Sequence, residues 1–123
     1  MTLSTFLTIV AGVLLNALAQ LLLKAGVAPL GPLHLDPASA LSTASRVLAQ
    51  WPIVAGLGCY VVSVGIWIVA LSRADVSLAY PMLSLGYVVN AIAAHYLFGE
   101  SVTLTRWLGI AFIIGGVWLV ARS

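Results

Sequence analysis

The chain has 123 residues, of which 63% are hydrophobic and 7% charged, with five Lys or Arg against three Asp or Glu. Soluble domains carry about a quarter charged residues, and a chain of this size cannot hide so much apolar surface in one core, so an ordinary soluble domain is excluded. The net charge of +2 is too slight and too scattered for a nucleic-acid surface, which leaves lipids and other membrane proteins as the expected partners.

A spanning helix takes about 20 apolar residues. The sequence therefore holds material for four spans in one small all-α membrane domain, residues 1–123, with spans at about 3–24, 52–71, 76–98 and 104–120. The first run is apolar apart from Ser4, Thr5, Thr8, Asn16 and Gln20, and it ends in Lys24. Ala17-Leu18-Ala19 imitates a signal-peptide cleavage site, but the n-region has no Lys or Arg and Leu21 to Leu23 continue the apolar stretch, so a span is expected. Between the first two spans lies the one long connection, where Pro29, Gly31, Pro32 and Pro37 forbid a continuous helix early on. Its second half, about 37–50, predicts an amphipathic surface helix. Asp36 is suited to cap it with Pro37 at its first position, and Leu41, Ala44, Leu48 and Trp51 share one face opposite Ser39, Thr43, Arg46 and Gln50.

The second span opens on Pro52, a residue that suits a first helical turn, and stops at Ser72-Arg73-Ala74-Asp75. Pro81 removes one backbone bond near the start of the third span and predicts a kink there. The fourth follows Gly99-Glu100-Ser101. Orientation follows Lys and Arg in short loops. The N-terminus, Arg73 and Arg122 fall on one side and Lys24, Arg46 and Arg106 on the other, a balance that selects neither orientation.

Asn16, Gln20 and Lys24 are spaced i, i+4, i+8 and form one polar stripe on the first span. An intramembrane Lys costs about 2.5 to 3.5 kcal/mol on insertion scales, which makes it a functional candidate, the alternative being a side chain that snorkels to the interface. Tyr80, Ser84, Tyr87 and His95 lie within about a 90° arc of the third span, with Asn90 on a neighbouring face. Such a row of hydroxyls suits a wet cavity, although tyrosines and His95 near span ends also serve as interfacial residues. Tyr60 and Trp67, seven apart on the second span, could face the same space. Gly109 and Gly116, also seven apart, set a stripe on the fourth span where another backbone can approach, and a dimer across it is expected. Gly56-Leu57-Gly58 reads as close packing rather than a nucleotide loop, and Cys59 as a small packing residue.

No nucleophile elbow, metalloprotease helix or pair of carboxylates is present, so an enzyme is not expected, and no metal or cofactor is implied. Asp36, Asp75 and Glu100 all lie in connections. A proton-driven exporter of cationic drugs needs a buried carboxylate to bind proton and cation by turns. The four runs supply none.

Leu78-Ala79-Tyr80-Pro81-Met82-Leu83-Ser84-Leu85, the following Gly99-Glu100, and Trp107 to Gly116 resemble the four-helix branch of the drug/metabolite transporter superfamily. Within it the chain is most similar to the small subunits proposed to flip 4-amino-4-deoxy-L-arabinose-phosphoundecaprenol across the bacterial inner membrane. Gln20 and Lys24 match those subunits' Gln-x-x-x-Lys element; the likeness lapses between Ala25 and Gln50. The sister branch of small multidrug resistance exporters carries an essential Glu where this chain has Asn16 and a Trp where it has Leu83. The resemblance implies a multi-pass inner-membrane protein that works as a homodimer or as a heterodimer with a second four-helix subunit, on a lipid carrier with a sugar head group. Uncharged Asn, Gln, Ser and Tyr suit sugar hydroxyls, and Lys24 suits a phosphate as a point charge. The alternatives are a small multidrug or metabolite exporter and a non-transporting subunit of a membrane glycosyltransferase system.

Overall fold

The computed structural model describes residues 2–34 and 36–123. Helix α1 (Leu3–Val27) starts at Thr2, whose hydroxyl accepts from the Thr5 amide at 3.2 Å, a side-chain cap for one of the unpaired first-turn donors. It continues past Lys24 and passes into a short 3₁₀ turn, Ala28–Leu30, before the chain turns at Gly31, whose φ of 69° is left-handed. Lys24 thus stands in the last turn of α1.

The connecting helix α2 (Ala40–Leu48) is shorter than 37–50, and Asp36 does not cap it. The Asp36 carboxylate instead accepts from the Ala38 amide at 3.2 Å, and its carbonyl from the Ser39 amide at 3.0 Å, which close a local turn and delay the helix. Leu41 and Leu48 are exposed, as is Trp51 at the start of the next helix, so the apolar face of α2 turns away from the protein.

Helix α3 (Trp51–Leu71) runs antiparallel to α1: Gly26 backs onto Ile53 at one end, and at the other Arg73 Nη1 donates to Ser4 Oγ at 3.2 Å. The third apolar run is two helices, α4 (Val76–Met82) and α5 (Ser84–Phe98), because Pro81 has no amide to give and the chain tightens at Leu83. There the Leu83 amide reaches the Tyr80 carbonyl at 3.0 Å and the Gly86 amide the Leu83 carbonyl at 2.9 Å. The kink expected at Pro81 is a break. Gly99, at φ 66°, ends α5 in the left-handed conformation that favours glycine. Helix α6 (Leu104–Arg122) begins at Thr103, whose hydroxyl accepts from the Arg106 amide at 3.2 Å.

Among the described residues four segments are long and apolar enough to cross a membrane: Leu3–Leu30, Trp51–Leu71, Val76–Phe98 and Leu104–Arg122. α1 is central, with α3 on one side and α4 and α5 on another, while α6 packs on α4 and α5. Ile9 and Val13 of α1 meet Ala70, Ala79, Met82 and Val117 in the core. The glycines set the closest approaches. A Cβ on Gly86 would meet Val13 Cγ1 at 3.3 Å, so α5 lies nearly against α1 where Gly86 faces it. α6 buries Val117 alone, and its remaining surface is largely open.

Candidate functional site

Two adjoining cavities, of about 410 and 240 Å³, share Asn16, Tyr60 and Leu83 and form one groove between α1, α3 and the α4–α5 segment. The larger part is lined by Val13, Ala17 and Gln20 of α1 and by Gly86, Tyr87 and Asn90 of α5. The smaller adds Gly12, Ser63, Val64, Trp67 and Tyr80. From Gly12 to Gln20 the groove covers about 12 Å along a helix of 25 residues, near the middle of the span. Tyr60, Tyr80 and Tyr87 are 42%, 60% and 55% exposed, so the groove opens on the side of the molecule rather than being a closed chamber.

The local reason for the groove is a stepped arrangement of small residues. Gly12 and Ala17 on α1 present little side-chain bulk, and Gly86 brings α5 close to Val13, so the larger Asn16, Tyr60, Trp67 and Tyr87 border a hollow instead of filling it. Seven residues singled out by spacing meet there: Asn16, Gln20, Tyr60, Trp67, Tyr80, Tyr87 and Asn90. None of the lining side chains carries a formal charge. The Ser63 hydroxyl satisfies itself on the Tyr60 carbonyl at 2.7 Å. The groove can offer amide and phenol groups to a polar ligand, and no fixed charge to a cation.

Other expected site residues lie elsewhere. Lys24 is exposed and lines a separate open recess of about 500 Å³ with Val27, Ala28, Gly31, Pro32 and Leu33, one turn along α1 from Gln20. Ser84 is half-buried and is not among the groove residues. His95 stands near the end of α5, where its Nδ1 lies 2.9 Å from the Glu100 carbonyl oxygen; that oxygen only accepts, so the ring nitrogen donates. Gly109, Gly115 and Gly116 face outward, with nothing within 4 Å of a Cβ built on any of them. Among the described residues no group of three His, Cys, Asp or Glu is placed to hold a metal ion.

Residues that spacing left unnoticed as site residues are Gly12, Val13, Ala17, Ser63, Val64, Leu83 and Gly86. Their signal was available in part: Gly12 and Gln20 are i−4 and i+4 from Asn16, and Ser63 is i+3 from Tyr60.

The model of the EamA-like transporter family matches residues 1–122. The chain belongs to the EamA-like transporter family. With its four apolar helices it is a multi-pass membrane protein. The chain is 42% identical over 115 residues to a protein of Sodalis glossinidius named probable 4-amino-4-deoxy-L-arabinose-phosphoundecaprenol flippase subunit ArnF, a match that covers 88% of this chain and 83% of that subunit. It is 33% identical over 118 residues to the subunit ArnE of the same probable flippase in Escherichia fergusonii, covering 96% and 97% of the two chains. A Pseudomonas fluorescens ArnE is 44% identical over 57 residues, a match that spans 46% of this chain and half of that subunit. No solved structure matches.

Proposed function

We propose that this EamA-like protein is a flippase, or one subunit of a flippase, that moves a polyprenyl-phosphate-linked sugar across the bacterial inner membrane, undecaprenyl phosphate-aminoarabinose being the first substrate to test. The observation that carries this reading is the uncharged polar groove in the middle of the spans, lined by Asn16, Gln20, Tyr60, Tyr87 and Asn90. A sugar crossing the bilayer must exchange its water for other hydrogen-bond partners, since each polar group left unpaired in an apolar medium costs several kcal/mol. Amide and phenol side chains supply such partners without holding a charge in the membrane. The lateral opening suits a substrate whose lipid tail stays in the bilayer while its head enters the groove. The names of the ArnE and ArnF relatives support the same substrate class.

In this reading Lys24 takes the phosphate. It lies one helical turn beyond Gln20 on the same stripe, so a phosphate at its ammonium leaves the attached head group within reach of Gln20 and Asn16. The protein acts as a carrier and forms no covalent intermediate. A dimer, with itself or with a second four-helix subunit, forms across the Gly109 and Gly116 face of α6, a helix that contributes no residue to the groove.

The test is translocation of undecaprenyl phosphate-aminoarabinose in liposomes that contain the purified protein, alone and together with a second four-helix subunit. Movement of the lipid in either preparation, with a rate indifferent to an imposed pH gradient, is the expected result. Movement of a lipophilic cation in exchange for protons, with the sugar lipid left in place, would replace the reading with a multidrug exporter. No movement of either would leave a scaffolding subunit.

A further inference from the structure

Asn90 stands apart from the other polar residues of the groove. Its Oδ1 is shut off from the surroundings and has no hydrogen-bond partner among the described residues. Buried carbonyl oxygens are nearly always paired, because the group has surrendered water without replacement. Ser63, the buried polar side chain of the same groove, shows the usual outcome, its hydroxyl satisfied on the carbonyl three residues earlier. Asn90 Oδ1 is thus an acceptor that lacks a donor, on a side chain that lines a cavity near the middle of a span, and it meets a ligand there once the carboxamide turns toward the cavity.

We propose that the Asn90 carboxamide reads hydrogen-bond donors on the carried head group, so that the groove selects a head group with free O–H or N–H and discriminates against one of the same size without them. The proposal rests on the carrier reading above and specifies what that carrier selects. A carboxamide oxygen can only accept, so its complement must be a donor. Turning the amide about its last bond would present Nδ2 in its place, and a hydroxyl serves that arrangement as well, since it can accept. A quaternary ammonium serves neither. Gln20, Tyr60 and Tyr87 line the same part of the groove, but they are exposed and none of their polar atoms is shut off, so they can turn to a donor or an acceptor on a polyhydroxylated ring alike. The discrimination falls to Asn90, because leaving a buried acceptor unpaired is costlier than the mean gain from a bond made in water.

The experiment compares two probes on the full chain in nanodiscs. One is a polyprenyl-phosphate aminosugar with free hydroxyls and amine, and the other its counterpart with those groups replaced by fluorine, which keeps the size and removes the donors. The wild type should bind the first about tenfold or more tightly. Asn90→Leu should bring the two affinities within about twofold, chiefly by weakening the first, while Asn90→Gln should keep part of the preference. Helix content and melting temperature of each variant show whether it folds, and where Asn90→Leu does not, the smaller Asn90→Ala is read in its place. Equal wild-type affinities, or a preference that survives in folded Asn90→Leu, would overturn the role of Asn90 and leave the carrier reading intact if the sugar lipid still flips. Failure of the wild type to bind either probe, both alone and together with a second four-helix subunit, would overturn the carrier reading, and this selection with it.

Discussion

Gly56 of α3 lies so close to Ala19 of α1 that a Cβ added to Gly56 would stand 3.0 Å from the Ala19 carbonyl oxygen, with Leu22 Cβ at 3.1 Å and Leu23 Cδ2 at 3.2 Å. A backbone oxygen cannot swing aside as a side-chain tip can. The contact therefore sets the distance between the two most extensively packed helices, and the groove beside Asn16 and Tyr60 depends on that distance.

The first prediction follows from this contact. Gly56→Val should force α1 and α3 apart and cost about 1 to 3 kcal/mol, the usual range for overpacking. Gly58 has nothing within 4 Å of its would-be Cβ, so Gly58→Ala should be neutral or should stabilise by up to about 1 kcal/mol through helix propensity. Thermal unfolding in detergent, followed by circular dichroism, should separate the two glycines in that order.

Lys24→Ala should abolish translocation of a polyprenyl-phosphate sugar in liposomes, and Lys24→Arg should retain part of it. Arg keeps the charge but not the shape of an ammonium. Gln20→Leu should impair transport by about tenfold, in line with one lost hydrogen bond in a desolvated groove. Cys59→Ala should be nearly silent, since Cys59 is outside both parts of the groove. Membrane abundance must stay at the wild-type level for each variant. Full activity of both Lys24→Ala and Gln20→Leu would remove the stripe from the mechanism.

The legible part of this molecule was whatever depended on composition and period. Four spans followed from four apolar runs, and the meeting of Asn16 with Tyr60 and Trp67 followed from helical spacing once α1 and α3 pair. The third span was harder. The arc of Tyr80, Ser84, Tyr87 and His95 has its centre between Tyr80 and Ser84, whereas the residues of this span that line the groove are Tyr80, Leu83, Gly86, Tyr87 and Asn90, an arc rotated by about 80°. Hydroxyl positions misled because the face is chosen by fit. Gly86 is the residue that allows α5 to close on Val13 and Ala17, and it turns Asn90 inward and Ser84 away. Asp36 misled in a similar way: a carboxylate before Pro37 reads as a helix cap, but a local turn onto the Ala38 amide competes for the same oxygen.

Gly109→Leu and Gly116→Leu should each lower the dimer fraction measured by cross-linking in bilayers. Neither position has a neighbour within 4 Å of a Cβ, so the added side chain starts in open space on the outer face of α6, and unchanged thermal unfolding of each variant shows that the fold is kept. Unchanged dimer fractions for both would move the interface away from this face of α6.

Spin labels on α2 should report two environments. Leu41 and Leu48, 83% and 57% exposed with apolar side chains, should show the oxygen accessibility of lipid, and a label at Arg46 should show that of water. Equal accessibility at the three sites would show that the helix does not lie on the membrane.

The interruption at Leu83 has a mechanical consequence. Tyr80 rides on the short segment α4, while Tyr87 and Asn90 ride on α5, a rod of 15 residues and so about 22 Å long. Hinged at one end, such a rod amplifies angle into distance: a change of about 10° at Leu83 displaces the Phe98 end by about 4 Å but shifts Tyr87, one turn from the pivot, by about 1 Å. The groove wall near the pivot keeps its shape under a movement that is large at the membrane surface beside Gly99 and Glu100. The two ends of the same rod would thus move by very different amounts, and the end that moves least is the one that holds the polar side chains.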